Sequence, residues 1–209
     1  MNHRGHGGTQ RKTSLVSTFC SLPLMTTSPS CTCVALLRGI NVGGHKIIKM
    51  DQLRNAFEGL GFEDVATYVQ SGNVVFKSPE KTSADLAGKI EQMLLRRFNM
   101  SVPVIVRTAE EVEDVLRNNP FLTERGIDVT RLHVTFLSHT PQRAAIKGLD
   151  AIAAGIDRFH CRGQEIYLHC PNGFGGTTLS INAFEKVLAV GATTRNWNTV
   201  NKLYEMARD

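Results

Sequence analysis

The sequence is poor in the features that assign a protein to a class most quickly. Aromatic residues make up only 7% of its 209 positions, with a single tryptophan. No apolar run approaches the roughly 18 residues a membrane-spanning helix needs, and clusters such as Cys33 to Leu37 are the size of a strand. No membrane partner is expected. A useful excess of positive charge is missing too. The net charge is +5, but Arg4, Arg11 and Lys12 fall in the first thirty residues, which hold no acid. Beyond them, 21 basic residues face 19 acidic ones. Affinity for a polyanion is built from many phosphate contacts, so overall charge lends it little support. The five cysteines, Cys20, Cys31, Cys33, Cys161 and Cys170, are odd in number and match neither a disulfide framework nor a zinc motif. Free thiols in a reducing cytoplasm are the expectation. His160-Cys161 and His169-Cys170 suggest soft ligands. Adjacent residues on a strand point to opposite faces, so these pairs are not expected to converge and no metal is expected. No Ser-His-Asp or Cys-His arrangement and no sharp carboxylate pair can be named from spacing.

What is present is an ordinary globular composition, 42% hydrophobic and 21% charged. Residues 1–30 are rich in Gly, Ser, Thr and His without periodicity and read as a disordered extension. Basic residues precede Leu15–Leu24 as in a signal peptide, but Ser, Thr and Pro interrupt that stretch. Met25-Thr-Thr-Ser-Pro reads like a natural start, and the expectation is that the first 24 residues are an upstream extension of the coding frame. From Cys33 to Ile40 the chain reads as a buried strand. Met50, Leu53, Phe57 and Leu60 keep helical spacing, with Gly61 as the stop. Val65–Gln70 and Val74–Lys77 form a hairpin around Ser71-Gly72-Asn73. Thr82 and Asp85 resemble a capping box before a helix carrying Leu86, Ile90, Met93, Leu94 and Phe98, and Pro103–Arg107 is a fourth strand. The order β-α-β-β-α-β is the split unit of a ferredoxin-like fold.

Thr108 and Glu111 form another capping box, on a helix ending at Asn119-Pro120. Arg131–Ser138 is a strand. Thr140-Pro141 opens a helix carrying Ala145, Leu149 and Ile152. Asp157–Cys161 and Glu165–Cys170 form a hairpin turning at Arg162-Gly163, and a glycine-rich loop follows from Pro171 to Gly176. Helices near Thr178–Leu188 and Thr194–Ala207 end the chain. The expected fold is α+β: a ferredoxin-like subdomain over residues 31–107, then a second, smaller α+β subdomain over 108–209. The second half repeats a β-α-β-β-α rhythm without a visible sequence repeat.

Four strings can carry chemistry. Arg38-Gly-Ile-Asn-Val-Gly-Gly44 is a glycine-rich loop at a strand end, where backbone N–H groups can meet an anion beside Arg38 and Lys46 or Lys49. Its spacing is neither the dinucleotide fingerprint nor the P-loop, and a tight turn with positive φ at Gly43 or Gly44 explains it as well. Gln70-Ser-Gly-Asn73 offers polar side chains at a hairpin tip, or is a plain turn. In Thr193-Thr-Arg-Asn-Trp-Asn-Thr199, Thr193 or Thr194 can cap the last helix and Trp197 faces the core. Arg195, Asn196 and Asn198 then sit near a helix N-terminus that suits an anion, unless Arg195 simply pairs with a carboxylate. Asn172-Gly-Phe-Gly-Gly176, with Thr177 and Thr178, is either a phosphate loop or a capped connection.

The strings Val34–Gly44, Tyr68–Phe76, Arg131–Leu137 and Ala192–Val200, taken together, resemble the bacterial domain-of-unknown-function 1697 family over about Cys33 to Ala207. The resemblance implies an α+β fold with a ferredoxin-like part and implies no activity. It also marks a departure. The family's late loop resembles Gly-x-Gly-x-(Ser/Thr)-Lys-Leu-Thr-Asn, and here Thr178 stands at the lysine and Ile181 at the asparagine. The expectation is therefore a small anionic ligand, phosphorylated or nucleotide-like, held by Arg38, Asn41, Gly43, Gly44, Gln70, Ser71, Asn73, Arg195, Asn196 and Asn198. No cofactor, reaction type or oligomeric state is specified. A nucleic-acid-binding module and a non-enzymatic partner-binding protein are the alternatives. The first lacks aromatics on Val34–Ile40 and Pro103–Arg107 for base stacking.

Overall fold

The computed structural model describes residues 1–2, 30–44, 46–80, 82–152 and 155–208. The extension and Cys20 therefore lie almost wholly outside the described residues. The first unit runs β1 (Cys31–Leu37), α1 (Met50–Glu58), β2 (Glu63–Tyr68), β3 (Asn73–Ser78), α2 (Ser83–Phe98) and β4 (Val104–Thr108). Its sheet is antiparallel in the order β2-β3-β1-β4, the expected ferredoxin-like arrangement. Helix α3 (Ala109–Arg117) follows, held at its start by the expected reciprocal bonds between Thr108 and Glu111. Thr82 sits at the N-cap of α2 but makes no side-chain cap bond.

The second unit is β5 (Leu132–Leu137), α4 (Arg143–Lys147), β6 (Arg158–Arg162), β7 (Glu165–His169), α5 (Ile181–Leu188) and β8 (Ala192–Asn196), with α6 (Trp197–Arg208) behind it. The N-cap of α4 is Gln142, not Thr140, and α4 lasts five residues before a 3-10 turn over Gly148–Ala151. The larger correction is at the C-terminal end. The expected helix over Thr194–Ala207 begins only at Trp197, and residues 192–196 form a strand. Ala192 joins the core on one side of its sheet, while Thr193 and Arg195 are buried on the other. This is the period of two that two adjacent β-branched residues favour. The cap of α6 is Asn196, whose Oδ1 accepts from the Thr199 N–H at 2.8 Å, rather than Thr193 or Thr194. With β8 in place, the second sheet has the order β6-β7-β5-β8, the same topology as the first.

The two units stack into five layers. One face of the first sheet (Cys33, Ala35, Leu37, Val74, Phe76) packs on α1 and α2, where Phe57, Phe62 and Phe76 meet with ring centroids 4.5–6.0 Å apart. One face of the second sheet (Leu137, Ile166, Leu168, Ala192) packs on α4 and α5. The remaining faces enclose a shared core with α3 and α6, including Val34, Leu36, Ile105, Val134, Tyr167, Trp197 and Leu203. This explains the near-continuous aliphatic run of β1, an antiparallel strand buried on both faces. Each fully buried large apolar side chain contributes about 1.5–3 kcal/mol. The histidine–cysteine pairs split as expected: Cys161 and Cys170 join the core beneath α5, while His160 and His169 lie against the Phe121 ring on the other face. No helix is long and apolar enough to cross a membrane among the described residues.

Candidate functional site

The structure brings the first three strings together, but mainly through bonds to one another. Asn41 adopts φ 56° and donates from Nδ2 to the carbonyls of Ile48 and Gln70, both at 2.9 Å, while its Oδ1 accepts from the Ile48 N–H. The loop therefore closes on itself. Gly43 and Gly44 take φ of +61° and +77°, and both are exposed. At the hairpin, Asn73 Nδ2 donates to the Tyr68 carbonyl and to Ser71 Oγ. Gln70, Ser71, Asn196 and Asn198 are exposed.

Arg195 lies at the centre. From β8 it reaches into the first unit: Nε donates to Asn73 Oδ1 and Nη2 to the carbonyl of Leu37 at 2.8 Å, with longer contacts to the Ser71 and Gly72 carbonyls. Nη1 donates to Thr193 Oγ1 and the Thr194 carbonyl. A guanidinium has five N–H donors, and these partners occupy all of them. Burial pulls its pKa down to about 10, so it stays charged at neutral pH. This arginine binds the protein's own strand ends and has no N–H left to offer a ligand, which removes it from the expected ligand set.

The same clasp occurs again in reverse, and the sequence reading missed it. Arg107 of β4 reaches into the second unit. Its Nε donates to Glu165 Oε1 at 3.1 Å, Nη1 to the Val106 carbonyl, and Nη2 to the Leu137 carbonyl at 2.7 Å and the Gln164 carbonyl at 3.4 Å. Arg107 pairs across its sheet with Val34 and Arg195 with Val134, so the two arginines hold equivalent places. The signal was available, since Val104-Ile-Val-Arg107-Thr and Ala192-Thr-Thr-Arg195-Asn both put an arginine fourth in a buried strand ahead of a helix-capping residue. Burial holds the Glu165 carboxyl above its ordinary pKa, partly opposed by Arg107.

Of the two arginines in the expected ligand set, Arg38, just past β1, is the one left partly exposed. Its Nη1 is paired with Glu185 and its Nη2 donates to Asn182 Oδ1 at 3.1 Å, both on α5. Arg38 thus faces the fourth string rather than the second or third. A cleft of about 330 Å3 lies between it and the loop before α5, lined by Phe174, Gly175, Thr177, Ser180 and Asn182. Two of its walls are already ordered: Ser180 Oγ caps α5 by accepting from the Ala183 N–H, and the Phe174 ring stacks on His133 at 5.0 Å between centroids. Burial lowers the pKa of His133. Asn182 and Glu185 were not singled out from the sequence, because only the approach of α5 to Arg38 gives them a role.

Other chemistry finds less support. Burial pushes the thiol of Cys33 up to about 12 and that of Cys170 up to about 11, so neither is a ready thiolate. No group of three or more His, Cys, Asp or Glu side chains is gathered as a metal site among the described residues.

Comparison with curated proteins finds no match. Among solved structures, the conserved bacterial protein SP0830 from Streptococcus pneumoniae is similar, with a TM-score of 0.65 and 23% identity, covering 86% of this chain and 99% of that one. This likeness concerns the fold, and it agrees with the α+β architecture described above. A family profile matches residues 31–167, from the first residue of β1 into β7. The chain belongs to that family, described as a protein of unknown function (DUF1697).

Proposed function

We propose that the protein binds a small phosphorylated or nucleotide-like ligand in the cleft between Arg38 and the Gly173–Gly176 loop. The observation that carries this reading is the meeting of two sequence strings, Arg38 from one unit and the late glycine loop from the other, on the walls of one cleft. Glu185 and Asn182 engage two of the five N–H donors of Arg38 and orient the guanidinium, so a phosphate meets a cation already aimed. Phe174 supplies a ring for a base or sugar face. Nucleic acid fits less well, because helices pack on both faces of each sheet and, among the described residues, no open sheet face is left for stacking. A cytoplasmic setting is supported by the free thiols of Cys31, Cys33, Cys161 and Cys170.

A thermal-shift screen with nucleotides, sugar phosphates and inorganic phosphate tests the site. A ligand at a hundred times its dissociation constant adds roughly 2.7 kcal/mol of stability. Arg38→Ala is expected to abolish the shift and leave the fold intact. An undiminished shift in that variant would place the ligand elsewhere.

A further inference from the structure

The internal symmetry identifies a second site. Glu185 Oε1 accepts from the Ala192 N–H at 2.9 Å, and Glu91 Oε1 accepts from the Val104 N–H at 2.8 Å. Ala192 and Val104 pair with Leu137 and Leu37, the last residues of β5 and β1. The residues that follow correspond as well: the Arg38 N–H donates to the Pro103 carbonyl at 2.9 Å, and the Ser138 N–H to the Gly191 carbonyl at 2.8 Å. Glu91 therefore stands in the first unit where Glu185 stands in the second, and Ser138 stands where Arg38 does. Arg38 spans the units and pairs with Glu185. Ser138 is too short to do the same. Its hydroxyl instead contacts the Gly191 N–H at 3.1 Å and His139 Nδ1 at 3.0 Å. Glu91 has no cationic partner among the described residues.

The space that Arg38 fills on one side is open on the other, as a groove of about 470 Å3 that touches both Glu91 and Ser138. One wall is α2, which apart from Glu91 offers Ser83, Ala84, Ala87 and Gly88 there. Side chains this small let a backbone approach closely. The opposite wall is β4, the edge strand of its sheet. Two of its outward backbone groups are capped, the Val104 N–H by Glu91 and the Val106 carbonyl by Arg107 Nη1. Because the N–H and C=O of one strand residue point to the same side, the Val104 carbonyl and the Val106 N–H also face the groove. That donor–acceptor pair fits a single residue of an added strand. Glu91 and Glu111 both line the groove, and its one arginine, Arg107, is already paired with Glu165, so the local charge favours a cation.

We propose that this groove docks an extended peptide that presents an arginine to Glu91, as Arg38 is presented to Glu185. The residues involved differ from those of the Arg38 cleft, so the two readings stand or fall separately.

The test is titration of the full chain at low salt with the blocked peptide Val-Arg-Val, followed by calorimetry. The controls are Val-Glu-Val and arginine amide alone. The arginine peptide is expected to bind, and both controls at least tenfold more weakly. Glu91→Gln keeps an acceptor for the Val104 N–H, so the variant folds, and it is expected to weaken binding about tenfold. Ser138→Arg supplies the missing internal cation and is expected to abolish binding while circular dichroism stays native. Arginine amide binding as tightly as the peptide would overturn the docking of an extended chain. Equal binding of the two peptides, no binding at millimolar concentration, or binding untouched by both variants would overturn the site.

Discussion

Replacing Arg195 separates a structural arginine from a ligand-binding one. Arg195→Ala withdraws a donor from Asn73 Oδ1, the Leu37 carbonyl and Thr193 Oγ1, all on residues no more than 2% exposed. A buried acceptor left without a donor costs about 1–3 kcal/mol. Part of that loss is offset, because the variant no longer buries a charge whose pKa had been pulled down to about 10 by desolvation. The net expectation is a loss of about 3–5 kcal/mol, as for other buried charged groups removed from their partners. In a chain of this size that lowers the thermal midpoint by roughly 10 °C. Arg195→Lys is expected to recover little, because a point ammonium cannot bridge acceptors on three separate segments as a planar fork does. Arg38→Ala, by contrast, breaks a half-exposed ion pair and is expected to cost at most about 1 kcal/mol. Urea denaturation followed by far-UV circular dichroism measures each loss, with an unchanged m-value confirming that the variants unfold from the same state. An Arg195→Ala unfolding free energy within about 1 kcal/mol of the parent's would refute the assignment of this residue to the fold.

Gly72 combines φ of +78° with a crowded site, where an added Cβ would lie 2.8 Å from both Leu37 Cβ and Ile40 Cγ1. Gly72→Ala is expected to cost at least about 2 kcal/mol, against about 1 kcal/mol for Gly43→Ala, where no atom lies within 4 Å; the same denaturation experiment compares them. Glu165→Ala leaves Arg107 buried without its carboxylate and is expected to cost about 3–5 kcal/mol, whereas Glu165→Gln copies the Asn73–Arg195 arrangement and is expected to cost clearly less. Because the folded chain holds the Glu165 carboxyl above its unfolded pKa, the folded state binds the proton first. Stability from this group thus grows as pH falls from the folded pKa to the unfolded one, and is lost as pH rises back through that window. Glu165→Gln should remove that slope, which denaturation at several pH values between 4 and 7 detects.

Much of the first unit was legible, because its signals are local. The aliphatic run of β1, helical spacing from Met50 to Phe57, turn residues at Ser71–Asn73 and the box at Thr108 and Glu111 each act within a few residues. The second unit was half legible. Its rhythm was visible, but β8 was absorbed into the following helix, since Trp197, Val200 and Tyr204 set a helical period that ran too far upstream. Without β8 the two halves could not be recognised as the same topology. The convergence of the Arg38, Gln70 and Arg195 strings was also anticipated. What sequence alone did not give was that Arg195 would be consumed by that convergence, because a residue's donors can be counted as used only when acceptors from distant strands are in place. The partners of Arg38 on α5 lie more than 140 positions away and leave no local trace.

The crossed arginines also bear on how the protein comes apart. Arg107 is rooted in one unit and satisfies strand-end carbonyls of the other, and Arg195 returns the arrangement. Helices α3 and α6 sit in a core to which both sheets contribute. Neither half, separated, would have the donors its own strand ends require or a partner for its inner face. A nick in the connection between α3 and β5 should therefore give two fragments that are poorly folded alone and that reassemble when mixed, as two subunits of an obligate dimer do. Read that way, the polypeptide between them acts as a tether that raises the local concentration of each half for the other, and the clasps are contacts of a subunit interface enclosed within one chain.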